Sequence, residues 1–348
     1  MPTLDELGGW PVVLGQLTAR RDLSSDEARA AMTAILDGTT TPAQIAGFIV
    51  ALRMKGETVE ELIGLVAAMV DAAEPVDLSA VSGPVVDIVG TGGDRAHTIN
   101  VSTLSSFVVA GAGVKVCKHG NRAASSSCGA ADLLEALGVT IDVGPDVVAR
   151  CVVDAGMGFC FAPRFHPSMR HAGPPRRELG VPTVFNVLGP LAHPGRVRRQ
   201  LVGVADGAMA ERMAKVFAAT GSERTLLVHG DDGLDEITTC ATTTVTELRD
   251  GEVRTWTLDP GEFGIGTVSR EALVGGDPAA NADLARRVLA GEAGPHRDIV
   301  LLNAAAGLLV AGAVDDLAAG VAGAAASIDE GRAADVVDRL VACTSQAG

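Results

Sequence analysis

From about residue 84 the chain alternates short apolar runs with stretches of helical period, and this alternation limits the fold more than any single motif. Residues 85–89 and 114–117 are too short for helices and rich in valine, as expected of strands buried on both faces. Residues 100–112 between them read as a helix, as do about 129–137 and 145–155, and a third strand is expected at 157–161. Strand, helix, strand in repetition predicts a parallel sheet with crossover helices on both faces. A later strand is expected at 224–228, and the runs 243–248 and 253–258, joined through Asp250-Gly251, read as a hairpin. From about residue 278 the pattern is mostly helical. The stretch 162–200 is rich in proline and arginine and reads as loop: a crossing between domains, a lid, or both.

Residues 1 to about 73 follow a different grammar and read as helices only. Ser25 before Asp26 and Glu27 starts one, ended by Gly38. Thr41-Pro42 opens a second, with Ile45, Phe48, Ile49 and Leu52 on one face, stopped by Gly56. Thr58 with Glu61 forms a capping box for a third, with Leu62, Leu65, Val66 and Met69 inward and Pro75 past its end. The expected fold is therefore α/β, a large mostly parallel α/β domain over 76–348 with a small all-helical N-terminal domain over 1–75, to which part of 165–185 is a candidate addition. The apolar faces of that small unit exceed what three or four short helices bury among themselves, so part of it is expected to pack on another chain.

With 348 residues, 47% of them hydrophobic, a large core is available. A net charge of −15 argues against general binding to nucleic acid or an anionic membrane, both of which need a basic surface. An anionic metabolite requires only a local convergence of cations. The six cysteines, at 117, 128, 151, 160, 240 and 343, include no Cys-x-x-Cys pair and no His/Cys run of zinc spacing, and read as free thiols in a reducing compartment. No basic segment leading into an apolar run opens the chain, and the Ala/Gly-rich stretch near the C-terminus is interrupted by Asp315 and Asp316, so neither a signal peptide nor a membrane span is expected.

Four segments bear chemistry. Gly90-Thr91-Gly92-Gly93-Asp94 follows the first strand and runs through Thr98 and Asn100 to a helix start at Ser102-Thr103. Glycines let backbone N–H groups approach a ligand, and a helix N-terminus favours negative charge, so the pattern suits a phosphate or diphosphate. A plain glycine turn with a Ser/Thr cap has the same pattern. Lys118-His119-Gly120-Asn121-Arg122-Ala123-Ala124-Ser125-Ser126 follows the second strand and concentrates cations, amide and hydroxyls in an otherwise acidic chain. Loops after successive parallel strands emerge at one sheet edge, so the two segments are expected to face one ligand. Asp235 and Glu236, after the strand at 224–228, can hold Mg²⁺ with substrate oxygens or be solvated, and Asp231 and Asp232 are alternatives. Arg164, His166, Arg170, His171, Arg176 and Arg177 crowd one loop. A guanidinium there suits a carboxylate, although packing explains each histidine and a surface ion pair explains any one arginine.

Taken in order, DIVGTGGD at 87–94, INVST at 99–103, KHGNRAASS at 118–126, ADLLEALGV at 131–139, FNVLGPL at 185–191 and HGDDGLDEI at 229–237 resemble the anthranilate phosphoribosyltransferases, from about residue 20 to at least 310. The resemblance implies a nucleoside-phosphorylase-like architecture, a cytoplasmic homodimer joined through the small domain, and a step of tryptophan biosynthesis. It implies Mg²⁺-dependent transfer from 5-phosphoribosyl 1-diphosphate to anthranilate, with no nucleic acid or membrane partner. On this likeness Gly90, Gly93, Asp94, Thr98, Asn100, Val101, Ser102, Thr103, the segment Lys118 to Ser126, and Ala130 match donor positions. Ser102, Asp235 and Glu236 match metal positions, and Gly90, Asn121 and Arg176 match anthranilate positions. Lys118, Arg122 and the helix start are expected to neutralise the departing pyrophosphate. His119 is either the proton acceptor or structural. Arg95, Cys128, Ala130, Pro175 and His193 depart from the family's usual residues. A pyrimidine nucleoside phosphorylase, a transferase for another aromatic amine, and a non-catalytic binding scaffold are the alternatives.

Overall fold

The structure is a computed structural model that describes residues 2–123 and 127–345. The N-terminal quarter is helical: α1 (Gly9–Thr18), α2 (Ser25–Leu36), α3 (Pro42–Lys55) and α4 (Val59–Asp71). Their boundaries follow from local chemistry. Ser24, Thr41 and Thr58 each accept a hydrogen bond from the backbone three residues on, and Glu27, Gln44 and Glu61 return it, giving three reciprocal capping boxes. The cap of α2 is thus Ser24, one residue earlier than the Ser25 start read from the sequence.

The sheet has seven strands in the order β3-β2-β1-β4-β5-β6-β7. β1 (Val85–Gly90), β2 (Lys115–Gly120), β3 (Met157–Phe161), β4 (Arg199–Gly203) and β5 (Arg224–Gly230) are parallel; β6 (Thr243–Arg249) and β7 (Glu252–Leu258) are an antiparallel edge. Asp250 and Gly251, with φ of 52° and 82°, form the two-residue turn of that hairpin. β4 was not anticipated from the sequence. It puts β1 between two parallel neighbours at the point where the strand order reverses, which is where open α/β sheets leave a crevice at their C-terminal edge.

Crossover helices are α5 (Val101–Gly111), α6 (Ala130–Ala136), α7 (Pro145–Asp154) and α11 (Ala210–Ala219). Val86, Ile88, Val116, Phe159 and Leu201 on one sheet face share a core with α5, α12 (Pro278–Leu289), α13 (Pro295–Ala311), α14 (Leu317–Asp329) and α15 (Arg332–Ser345). No helix among the described residues is long and apolar enough to cross a membrane.

The expectation of loop over 162–200 is corrected. The segment folds into α8 (Ala162–Phe165), a 3₁₀ turn (Pro167–His171), α9 (Gly173–Leu179) and α10 (Phe185–Leu191) before β4. Its prolines at 163, 167, 174 and 175 occupy first turns, where proline's fixed φ and missing N–H suit a helix start. Ala172, Phe185, Leu188 and Leu191 join Leu52, Leu62 and Leu65 of the N-terminal helices and Val202 and Leu227 of the sheet in one core.

Candidate active site

β1 ends at Gly90 and the chain turns through two glycines in the left-handed region, Gly92 at φ 67° and Gly93 at φ 94°. A Cβ on Gly90 would meet Asp235 Oδ2 at 2.6 Å, so only glycine lets the acidic segment lie against the strand end. Gly92 donates its N–H to that same Oδ2 at 2.7 Å. Thr91 donates to the Gly203 carbonyl at 2.8 Å and accepts from the Ala205 N–H at 3.0 Å, which pins the turn to β4. Thr98 bridges to Val274. Asn100 stands at the N-cap of α5 without capping it. Its side chain donates to the Cys128 carbonyl at 3.0 Å and accepts from Asn281 at 3.1 Å, drawing the 128–130 segment toward the helix start. Val101 and Thr103 are buried, and Thr103 Oγ1 has no hydrogen-bond partner.

Alternation along β2 sends two neighbouring residues to opposite faces. Lys118, 1% exposed, reaches under the start of α5, donating to the Ile88 carbonyl and, at 3.2 Å, to Ser102 Oγ. Burial lowers its pKa, opposed by the charges of Asp87 and Glu236. His119 points the other way, against His166 and His193, with ring centroids 5.2 and 5.9 Å apart. Burial first, then the neighbouring His166, His193 and Lys118, hold His119 well below the usual histidine range. His166 is lowered to about 4, chiefly by burial. Both rings are therefore neutral near pH 7, and the buried Nε2 of each has no partner.

The acidic segment completes the first side. Burial, then the Asp94 carboxylate, push the Asp235 carboxyl up to about 8, against the pull of the Gly92 N–H. Burial and the Asp235 charge raise Glu236 well above the carboxylate range, with Lys118 and the Ser102 backbone N–H pulling it down. Two raised acids beside the Asp94 carboxylate are a hard-oxygen set suited to a cation. Asp231 and Asp232 are already engaged, by Thr242 and Thr244 and by Thr238.

The remaining expected residues divide. Arg122 lies outside the cradle, ion-paired to Glu135 and Asp132, which keep its guanidinium above its ordinary pKa, and 5.4 Å over the Phe161 ring. Asn121 Oδ1 accepts from the Arg122 N–H at 2.7 Å. Gly120 packs against Phe159 and Ala130, and Asp132 accepts the N–H groups of Ala123 and Gly129. Ala124, Ser125 and Ser126 lie outside the described residues. Arg164 is committed to Glu74, and His171 packs on Gly38. Arg176 differs: its guanidinium rests 4.8 Å over Phe185, burial alone lowers its pKa, and no carboxylate among the described residues pairs with it.

Asp87, fully buried in β1, and His193, in the turn after α10, were not singled out as site groups. Asp87 accepts from the His119 N–H at 3.1 Å and is 4.0 Å from His193 Nε2. An acid in the middle of the apolar run VVDIVG was the available signal.

Comparison with known proteins agrees with this arrangement. Residues 82–334 match the family model described as the glycosyl transferase family, a/b domain, and residues 11–73 match the helical bundle domain of the same family. The chain is 55% identical to anthranilate phosphoribosyltransferase of Rhodococcus jostii, covering 97% of this chain and 93% of that protein. The crystal structure of anthranilate phosphoribosyltransferase from Thermus thermophilus superposes with a TM-score of 0.90 at 42% identity, covering 96% of this chain and 99% of that one. The Saccharomyces cerevisiae enzyme, solved in complex with PRPP and Mg, does so with a TM-score of 0.89 at 31% identity, covering 97% and 98%. With both domain models matched in order and the likeness running almost end to end, the chain belongs to the anthranilate phosphoribosyltransferase family.

Proposed function

We propose that the chain transfers the phosphoribosyl group of 5-phosphoribosyl 1-diphosphate to the amine of anthranilate, giving N-(5-phosphoribosyl)anthranilate and pyrophosphate, as a step of tryptophan biosynthesis in the cytoplasm. One observation supports this above the others. Lys118 and His119, adjacent on β2, face opposite ways: Lys118 lies with Ser102 and the charge of Glu236, and His119 lies against His166 and His193.

The first side holds Gly90, Gly93, Asp94, Thr98, Asn100, Val101, Ser102 and Thr103, with Lys118 beneath, and takes the diphosphate. Bond breaking at C1 builds negative charge on the leaving pyrophosphate, and fixed donors aimed at that charge lower the barrier. Lys118 and the N-terminal end of α5 are those donors. Asp235 and Glu236, with the Ser102 hydroxyl, are the groups that would hold Mg²⁺, which when bound neutralises the diphosphate. The family resemblance adds the 120–126 segment and Ala130 to this side. Arg122 reaches it by exchanging its Glu135 and Asp132 pairs for a phosphate.

Arg176 has no anion of its own among the described residues, and a guanidinium stacked on an aromatic ring is suited to grip a carboxylate in two places. We assign it the anthranilate carboxylate, with Gly90 and Asn121 bordering the ring. His119 and His166 are neutral and offer lone pairs rather than charge. His119 is thus a poor sink for a full proton, and the aniline nitrogen needs alignment with C1 more than it needs a strong base.

We also assign the small helical unit, residues 1–75 with the 165–185 segment, to homodimerisation. In support, Val12, Val50 and Met54 are exposed on α1 and α3, with Met54 70% exposed. The test of function is direct: anthranilate fluorescence should fall, with one pyrophosphate released per anthranilate consumed, only when donor and Mg²⁺ are both present. Phosphorolysis of thymidine with no loss of anthranilate would replace this reading with a nucleoside phosphorylase.

A further inference from the structure

Beneath the acceptor side lies a second cluster that the transfer reaction does not use. Cys117 of β2 and Cys160 of β3 bring their Sγ atoms to 3.7 Å, and His193, in the turn after α10, closes the group. The two sulfurs and a ring nitrogen lie within 4.8 Å of one another, and no other His, Cys, Asp or Glu set among the described residues converges so tightly. The three residues are 0%, 0% and 3% exposed. Sequence spacing could not reveal them, because they come from three separate elements.

We propose that Cys117, Cys160 and His193 form a buried binding site for a thiophilic d¹⁰ cation, Zn²⁺, distinct from the carboxylate site at Asp235. Donor chemistry separates the two sites. Thiolates and imidazole select zinc or Cu(I), whereas the oxygen set of Asp94, Asp235 and Glu236 suits Mg²⁺. Two thiolates about 2.3 Å from one tetrahedral zinc stand roughly 3.8 Å apart, close to the spacing found.

A disulfide fits less well. Cys117 is level with Gly158, two residues before Cys160. With strands about 4.8 Å apart and a rise of about 3.3 Å per residue, the two Cα atoms are roughly 8 Å apart, beyond the usual disulfide limit of about 6.8 Å. A metal spans that diagonal without moving the backbone. Asp87, 4.0 Å from the His193 ring and itself fully buried, lies beside the three but outside the set that converges. The ring now bonds to the Cys117 carbonyl at 2.8 Å and to the Gly195 N–H at 3.0 Å, so capture re-aims it by a small rotation. The ring coordinates as the neutral base and both cysteines as thiolates, so binding releases the protons that these three groups hold. Occupation fastens β2, β3 and the His193 turn together under His119.

Because the cluster is buried, loading is tested on protein expressed with zinc and on protein refolded from denaturant with zinc, followed by dialysis against a mild chelator. The full chain should retain one zinc by mass spectrometry, and cobalt in its place should show a thiolate charge-transfer band with intense tetrahedral d–d bands. Retention should persist in Asp235→Asn/Glu236→Gln and be lost in both Cys117→Val and His193→Asn, with the circular dichroism of each unchanged. Should one variant misfold, the other gives the same readout. Cu(I) taken up by the same three residues in preference to zinc also supports the site and identifies the ion. Absence of retained metal after refolding, or zinc that survives Cys117→Val and His193→Asn but is lost with the acid pair, overturns the proposal.

Discussion

Gly92 donates its backbone N–H to the Asp235 carboxylate at 2.7 Å, across 143 residues of chain. That bond joins the glycine turn after β1 to the acidic segment after β5. It explains why Gly90 beside it has no side chain. Gly90→Ala would bring a methyl to 2.6 Å from Asp235 Oδ2 and force the carboxylate aside. The expected result is a drop in kcat/KM for the donor on the order of 100-fold, with a stability loss of only about 1–3 kcal/mol. Gly203→Ala is the contrast. Its Cβ would sit 1.6 Å from the Asp235 backbone oxygen, which cannot swing away, so this variant should fail to fold. Steady-state kinetics with denaturation curves check both.

The raised Asp235 carboxyl ties stability to pH. Its folded pKa is about 8, against an ordinary value of 3.8. Between these values the metal-free fold binds a proton that the unfolded chain has released. Stability should therefore fall as pH rises from about 4 toward 8. Mg²⁺ competes with that proton, so its affinity should weaken as pH drops below about 8, by up to tenfold per unit. Melting curves in chelator should decline across this range, and saturating Mg²⁺ should remove most of the decline. A melting temperature in chelator that is flat with pH would contradict the assignment.

Arg176 stacks on Phe185 with no carboxylate of its own among the described residues. Arg176→Ala should raise the anthranilate KM about 10- to 100-fold, the worth of a charged hydrogen-bond pair, and leave the donor KM nearly unchanged. Arg176→Lys should recover only part, because an ammonium cannot match the planar fork. A rise confined to the donor KM would move the acceptor site elsewhere.

In the helical unit, Lys55 reaches Glu61 at 3.0 Å and Asp22 at 2.7 Å, with its own side chain 4% exposed and that of Glu61 fully buried. Lys55→Met removes the cation and leaves Glu61 buried without a counter-ion. The expected loss is about 3–5 kcal/mol, tempered by the N–H bonds Glu61 accepts from Leu23 and Thr58. Urea unfolding measures it, and kcat per folded molecule should not change.

Local signals were well written in the chain. Thr41 and Thr58 cap the helices they were expected to start, and the Asp250-Gly251 turn forms the expected hairpin. β4 escaped because only Leu201 and Val202 interrupt an otherwise polar approach, Arg199-Gln200, and two apolar residues do not make a period. Its absence hid the fact that β1 is central. The prolines at 163, 167, 174 and 175 help the stretch 162–200 read as loop, whereas in the fold they lie in first turns. The two-sidedness of the site was hidden because the sequence ends the apolar run at residue 117 and makes Lys118 and His119 read as loop, whereas β2 runs on to Gly120 and sends them to opposite faces. The meeting of Cys117, Cys160 and His193 was hidden too, because it depends on which strands become neighbours.

A calorimetric titration of 5-phosphoribosyl 1-diphosphate into the chain, with Mg²⁺ and then with chelator, tests whether Asp235 and Glu236 hold the metal that receives the donor. Mg²⁺ should tighten donor binding in the parent protein, and Asp235→Asn/Glu236→Gln should abolish that gain while still folding. Equal donor affinity with and without Mg²⁺, or a full Mg²⁺ gain in the variant, would contradict that role.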